Sequence, residues 1–217
     1  MAVQGGVQNI KRQLKQLKAL QGKSEKVIQR TMSDVRTRVP GWVAAEVTKV
    51  YNIKKGEVTP AKAGKSTKPV GSIKVAGDTL DTMEIVYRGR VLTPTHFGMT
   101  PKAPKETYTL KAEILKGNKT VLGQKKKLTK EQRAALVKNF RRQGQRTSPN
   151  SPIMLMRTGS TYIPFQRKSP DRKDVKVIKT ISMPQMVSSE RTSENINRAI
   201  TEGLDKRITQ HMKILEK

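Results

Sequence analysis

With 217 residues, no cysteine and no apolar run near the roughly 20 residues a spanning helix needs, the chain is neither a disulfide scaffold, a cysteine-zinc module nor a membrane-span protein. Its 45 Lys+Arg against 17 Asp+Glu leave a formal charge of +28, a self-repulsion that is tolerated when a polyanion or an acidic protein surface offsets it. At 34% hydrophobic residues, with 3 Phe, 1 Trp and 4 Tyr, the core is thin, and part of the apolar surface is expected to be buried against copies of the chain or other subunits.

The polar start Met1-Ala2-Val3-Gln4-Gly5-Gly6 does not read as a secretory signal, so synthesis in the cytoplasm is the expectation. Val7, Ile10, Leu14, Leu17 and Leu20 recur at three and four, and Val27, Ile28, Met32 and Val35 resume the rhythm after Gly22, which predicts one long helix or two in tandem. Val39-Pro40-Gly41 is expected to interrupt it, with Trp42, Val43, Val47 and Val50 marking a further helix that ends near Tyr51-Asn52. Residues 54–71 are rich in Lys, Pro and Gly and read as an exposed basic loop. Short β-type runs follow at 72–75, 83–87, 108–115 and 120–122, punctuated by Gly77, Gly89, Pro94, Pro101 and Pro104.

A helix then intervenes, because Thr129-Lys130-Glu131-Gln132 has the capping-box form and leads into Ala134, Ala135, Leu136, Val137 and Phe140. Three more strands are predicted at 153–156, 162–165 and 175–181, giving an antiparallel sheet of six or seven strands. The last element is an amphipathic helix whose stripe, Ile196, Ile200, Leu204, Ile208, Met212 and Leu215, is expected to serve subunit packing. The predicted class is therefore α+β: an antiparallel β-sheet or sandwich with long N-terminal helices, an inserted basic helix at about 129–142 and a long C-terminal helix. The segments read as 1–53 helical, 54–71 basic loop, 72–187 β-rich core and 188–217 C-terminal helix, together one domain with extensions.

The ingredients of catalysis are sparse, and no enzyme is expected. Without cysteine there is no thiol nucleophile, and His96 and His211 are far apart in sequence; they read as a packing residue and a helix-boundary residue. Asp78, Asp81 and Glu84 are explained by the solvated face of a strand as well as by Mg²⁺. Gly64-Lys65-Ser66-Thr67 resembles the end of a phosphate loop, but Thr59 stands where its first glycine belongs. Asn118-Lys119-Thr120 reads as a turn and not as a glycosylation site. No metal or cofactor is expected.

What remains is charge, and it is uneven. Residues 111–146 hold 12 Lys or Arg against 2 acidic residues, whereas 190–217 hold 6 against 5. Lys125, Lys126, Lys127, Lys130, Lys138, Arg141, Arg142 and Arg146 are the candidate contacts to DNA or to an acidic partner; Lys54, Lys55, Lys62, Lys65 and Lys68 form a second basic stretch. Phosphate binding needs charge more than exact geometry, and with so few aromatics to stack on bases the expected mode is duplex-backbone contact. The competing reading is a solvated charged surface.

Four local patterns, in order, carry a resemblance. They are Val50-Tyr51-Asn52-Ile53-Lys54-Lys55, Leu92-Thr93-Pro94-Thr95-His96-Phe97, Ile181-Ser182-Met183-Pro184-Gln185-Met186-Val187, and the long helix that follows; Pro164-Phe165-Gln166-Arg167-Lys168 fits a basic strand pair between them. The chain resembles the phage minor tail protein Z, or tail-completion, family in its form from prophages of Gram-positive bacteria, over about residues 7 to 215, with the stretch 111–150 matching least. The resemblance implies a structural virion protein at the head-proximal end of a tail, made in the host cytoplasm and active in head-tail joining. It also implies a ring, often sixfold, with tail-tube, terminator or neck proteins as neighbours and DNA in the channel. A non-specific nucleic-acid-binding basic protein is the alternative that composition favours.

Overall fold

The computed structural model describes residues 24–59, 71–79, 82–127, 129–142, 153–168 and 174–216. The class is α+β, with an N-terminal helix, a long C-terminal helix and small antiparallel sheets. The chain divides into two compact units, one of Met1–Val50, Lys54–Arg90 and Ser182–Lys217, the other of Tyr51–Ile53 and Val91–Ile181.

The first unit is organised by two long helices, α1 (Ser24–Val50) and α5 (Glu190–Glu216), packed along each other. Their buried rows have one spacing: Val27, Thr31, Val35, Val39, Val43 and Val47 on α1, and Thr192, Ile196, Ile200, Leu204 and Ile208 on α5, four residues apart throughout. Side chains at i and i+4 stack on one face, so each row is a continuous ridge.

This corrects the sequence reading of the C-terminal stripe. Ile196, Ile200, Leu204 and Ile208 are buried within the chain itself. They are core and not subunit contacts, because α1 supplies the partner surface the stripe requires. Met212 is half-buried, and the side chain of Leu215 lies outside the described residues.

Pro40 does not interrupt α1. An interior proline forfeits one backbone hydrogen bond and costs about 3 kcal/mol. Stopping the helix there would throw Val43, Ala44 and Val47 out of phase with Val35 and Val39, and burying each valine contributes roughly 1.5–2 kcal/mol. Packing outweighs the local penalty. The predicted helical stretch 7–20 lies outside the described residues.

A polar set also joins the two helices. Asp34 Oδ2 is 3.2 Å from His211 Nε2 and 3.7 Å from Arg207 Nη1, while Arg38 Nε lies 3.9 Å from the other carboxylate oxygen. The helix-boundary reading of His211 thus gains a specific partner on α1. At the start of α5, Thr192 Oγ1 donates to the Met186 carbonyl of α4 (Met183–Ser188), and α4 carries a capping box in which Ser182 and Gln185 bond reciprocally. The C-terminal helix read over 188–217 is α5, and α4 is a further short helix in the stretch read as the end of the β-rich core.

The predicted loop contains a short helix, α2 (Lys55–Val58), with Val58 buried; its remainder lies outside the described residues. Strands β1 (Gly71–Ala76) and β2 (Glu84–Gly89) form a two-stranded antiparallel pair that belongs to this helical unit and not to the β-rich part of the chain. Arg36 of α1 donates to the Gly77 carbonyl and to Asp78 Oδ1, both at 2.8 Å, which gives Asp78 a structural role.

Tyr87 lies opposite buried Ile73, and desolvation pushes its phenol up to about 12. Above pH 10 the unfolded chain ionises this tyrosine while the folded chain keeps it neutral, so stability should fall between pH 10 and about 12. The loss from this group is on the order of 1–2 kcal/mol, given its partial exposure. Absorbance titration of the folded protein checks it: one tyrosine should ionise well after the exposed ones, and Tyr87→Phe should remove that late step.

The second unit holds the other two sheets. Strands β3 (Tyr108–Leu115) and β4 (Asn118–Lys125) pair as a hairpin, and β5 (Ile153–Thr158), β6 (Thr161–Arg167) and β7 (Val175–Val177) form a three-stranded meander. The seven predicted strands exist, but they are spread over three small sheets instead of one. Met99, Tyr108, Leu110, Ile153 and Leu155 form the core between the hairpin and the meander.

Two contacts set how the hairpin meets β5. A Cβ on Gly123 would lie 2.9 Å from Ile153 Cγ1, so glycine at this bulged position makes room for the core isoleucine. Tyr108 Oη donates to the Ile153 carbonyl and accepts from the Leu155 amide at 3.0 Å. The segment Leu92-Thr93-Pro94 does not run on as a strand: Pro94–His96 is a 3-10 turn, and Leu92 pairs by backbone with Thr180 and Ile181.

Candidate functional site

The second unit carries 21 Lys+Arg against 5 Asp+Glu, the first 24 against 12, so the excess of positive charge per carboxylate is much greater in the second. Within it the basic tract begins where β4 ends. Lys125 is not a free surface lysine: its ammonium lies 5.7 Å from the Tyr108 ring centroid and donates to the Lys105 carbonyl at 3.1 Å. This anchor fixes the exit direction of the chain.

Lys126 and Lys127 follow, both exposed, and then helix α3 (Lys130–Arg142) with Lys130 and Lys138 exposed. The helix starts where the capping box predicts. Thr129 N donates to Gln132 Oε1 at 3.1 Å, and Gln132 N donates to Thr129 Oγ1 at 3.3 Å. Arg141 and Arg142 belong to the helix by backbone; their side chains, and Arg146 entirely, lie outside the described residues.

The tract is thus divided by role. Lys125 positions, whereas Lys126, Lys127, Lys130 and Lys138 present charge to solvent. The contact from Lys125 to the Lys105 carbonyl also brings the exposed 102–105 stretch beside the strand end, adding Lys102 and Lys105 to the basic surface. Sequence reading misses these two because Pro101 and Pro104 mark the stretch as punctuation, and only the hairpin register places it there. Of the second basic stretch, Lys54 and Lys55 are exposed in the first unit, and Lys62, Lys65 and Lys68 lie outside the described residues.

Such a surface can bind phosphate or carboxylate by Coulomb attraction and counterion release. Among the described residues no group of three His, Asp or Glu side chains could hold a metal ion, and no helix is long and apolar enough to cross a membrane. His96 ends the 3-10 turn half-buried, and Asp81 lies outside the described residues. No family model, curated protein or solved structure matches the chain.

Proposed function

We propose that this chain is a structural virion protein that completes the head-proximal end of a phage or phage-tail-like tail. In this reading it acts as a ring subunit in head-tail joining, without catalysing a reaction. The order of the sequence patterns that resemble the tail-completion family supports this reading. The observation that carries it is the separation of roles between the two units: a helical unit closed on its own core, and a strongly basic unit with exposed Lys126, Lys127, Lys130 and Lys138. That division suits a ring subunit, with one unit as a stable body and the other as a charged face for DNA in the channel or for an acidic neighbouring ring. Because the C-terminal stripe is core, ring contacts must use other surfaces.

The same lysines favour a second reading, a non-specific duplex-binding protein that works alone. Particles made with Lys126, Lys127 and Lys130 all changed to Glu separate the two. Tail completion predicts heads and tails that fail to join although the variant folds and accumulates normally. Normal joined particles from that variant would leave the second reading in possession.

A further inference from the structure

The strands β5 and β6 read Ile-Met-Leu-Met and Tyr-Ile-Pro-Phe, continuous apolar runs of the kind found in strands covered on both faces. Residues directly opposite each other in an antiparallel pair share a face, so the register sorts these side chains. Ile153, Leu155 and Pro164 point to one side and are buried; Ile153 and Leu155 belong to the core of the unit.

On the other side lie Met154 opposite Phe165 and Val177, Met156 opposite Ile163, and Val175 opposite Arg167. None of these six apolar residues belongs to the core cluster or packs on it. Met156 is 41% exposed and the other five are half-buried. A one-sided antiparallel sheet ordinarily turns polar residues to water on this face. Here it turns methionine, isoleucine, phenylalanine and valine.

The charge around the face decides what can cover it. Arg167 shares this face opposite Val175, and Lys179 is exposed two residues beyond Val177, whereas Arg157 and Lys176 fall on the other side by register; Asp174 is the single carboxylate among the described residues of 153–181. A second copy laid on this face with its own basic unit would bring like charges together. A nucleic-acid backbone would neutralise these cations but would gain nothing from six apolar side chains.

We propose that the outward face of the β5–β6–β7 sheet docks an acidic partner protein whose contact surface has an apolar centre and a carboxylate rim. This rests on, and deepens, the reading in which the basic unit meets an acidic neighbour. A binding measurement in solution tests it apart from particle assembly.

The test uses the full-length chain with two soluble probes of matched length, poly-L-glutamate and a glutamate-tyrosine copolymer, in about 0.3 M salt, where screening acts within several ångströms. The copolymer is expected to bind about tenfold more tightly than poly-L-glutamate. Met156→Lys adds a positive charge and yet should lower copolymer affinity about threefold or more. Met156→Lys combined with Val177→Lys should erase the preference, with poly-L-glutamate bound as well as before. Equal affinity of the wild-type chain for both probes overturns the proposal, and so does a preference that neither variant reduces. Sedimentation that shows self-association abolished by Met156→Lys would assign the face to a second copy and overturn the acidic-partner assignment.

Discussion

Gly203→Ala should destabilise the helical unit by about 1–3 kcal/mol, although the same change in an exposed helix interior stabilises by up to about 1 kcal/mol. The sign reverses because of Trp42. A Cβ on Gly203 would lie 2.6 Å from Trp42 Cζ3, with two further ring carbons at similar range, and the half-buried indole is a rigid ring and not the end of a flexible chain. Overpacking of this kind forces side chains off their rotamers or separates the helices.

Thermal unfolding followed by far-UV circular dichroism reads the effect as a midpoint lowered by several degrees. The double variant Trp42→Leu, Gly203→Ala supplies the control, since with the ring gone the alanine should become neutral or stabilising relative to Trp42→Leu alone. Additivity of the two changes would mean that the glycine is not there for the tryptophan.

The second large effect concerns the basic tract. Changing Lys126, Lys127 and Lys130 to Glu should weaken binding to a short DNA duplex about 100- to 1,000-fold near 0.1 M salt and lower the steepness of its salt dependence by about two to three ion equivalents. All three side chains are exposed, so the melting midpoint should stay where it is. Lys125 is left out because its contacts with Tyr108 and the Lys105 carbonyl make it part of the hairpin. A variant that binds duplex as tightly as the wild type, with the same salt slope, would remove the tract from the polyanion surface.

Where local chemistry decides the outcome, the sequence was legible. The capping box before α3 is readable because its two hydrogen bonds involve residues three apart, and α5 because its buried row repeats every four. Strand existence was legible for the same reason, through short apolar runs between turn residues. Long-range pairing was not.

The burial of Ile196, Ile200, Leu204 and Ile208 against α1 depends on a partner row about 160 residues away, and an amphipathic stripe does not say whether its cover lies in the same chain. Pro40 misleads because its penalty is local while the burial of Val43 and Val47 beyond it is tertiary. The division into three sheets is equally non-local: Gly123 makes room for Ile153, 30 residues further along the chain. At the candidate site the lysines were legible as a run, but the split between an anchoring Lys125 and exposed Lys126, Lys127 and Lys130 required Tyr108.

Electron microscopy of particles produced after deleting this coding sequence from the genome that carries it tests the central claim most directly. Tail completion predicts filled heads and full-length tails that accumulate unjoined, or tails that lack a ring at their head-proximal end. Particles of normal appearance and normal infectivity would contradict it.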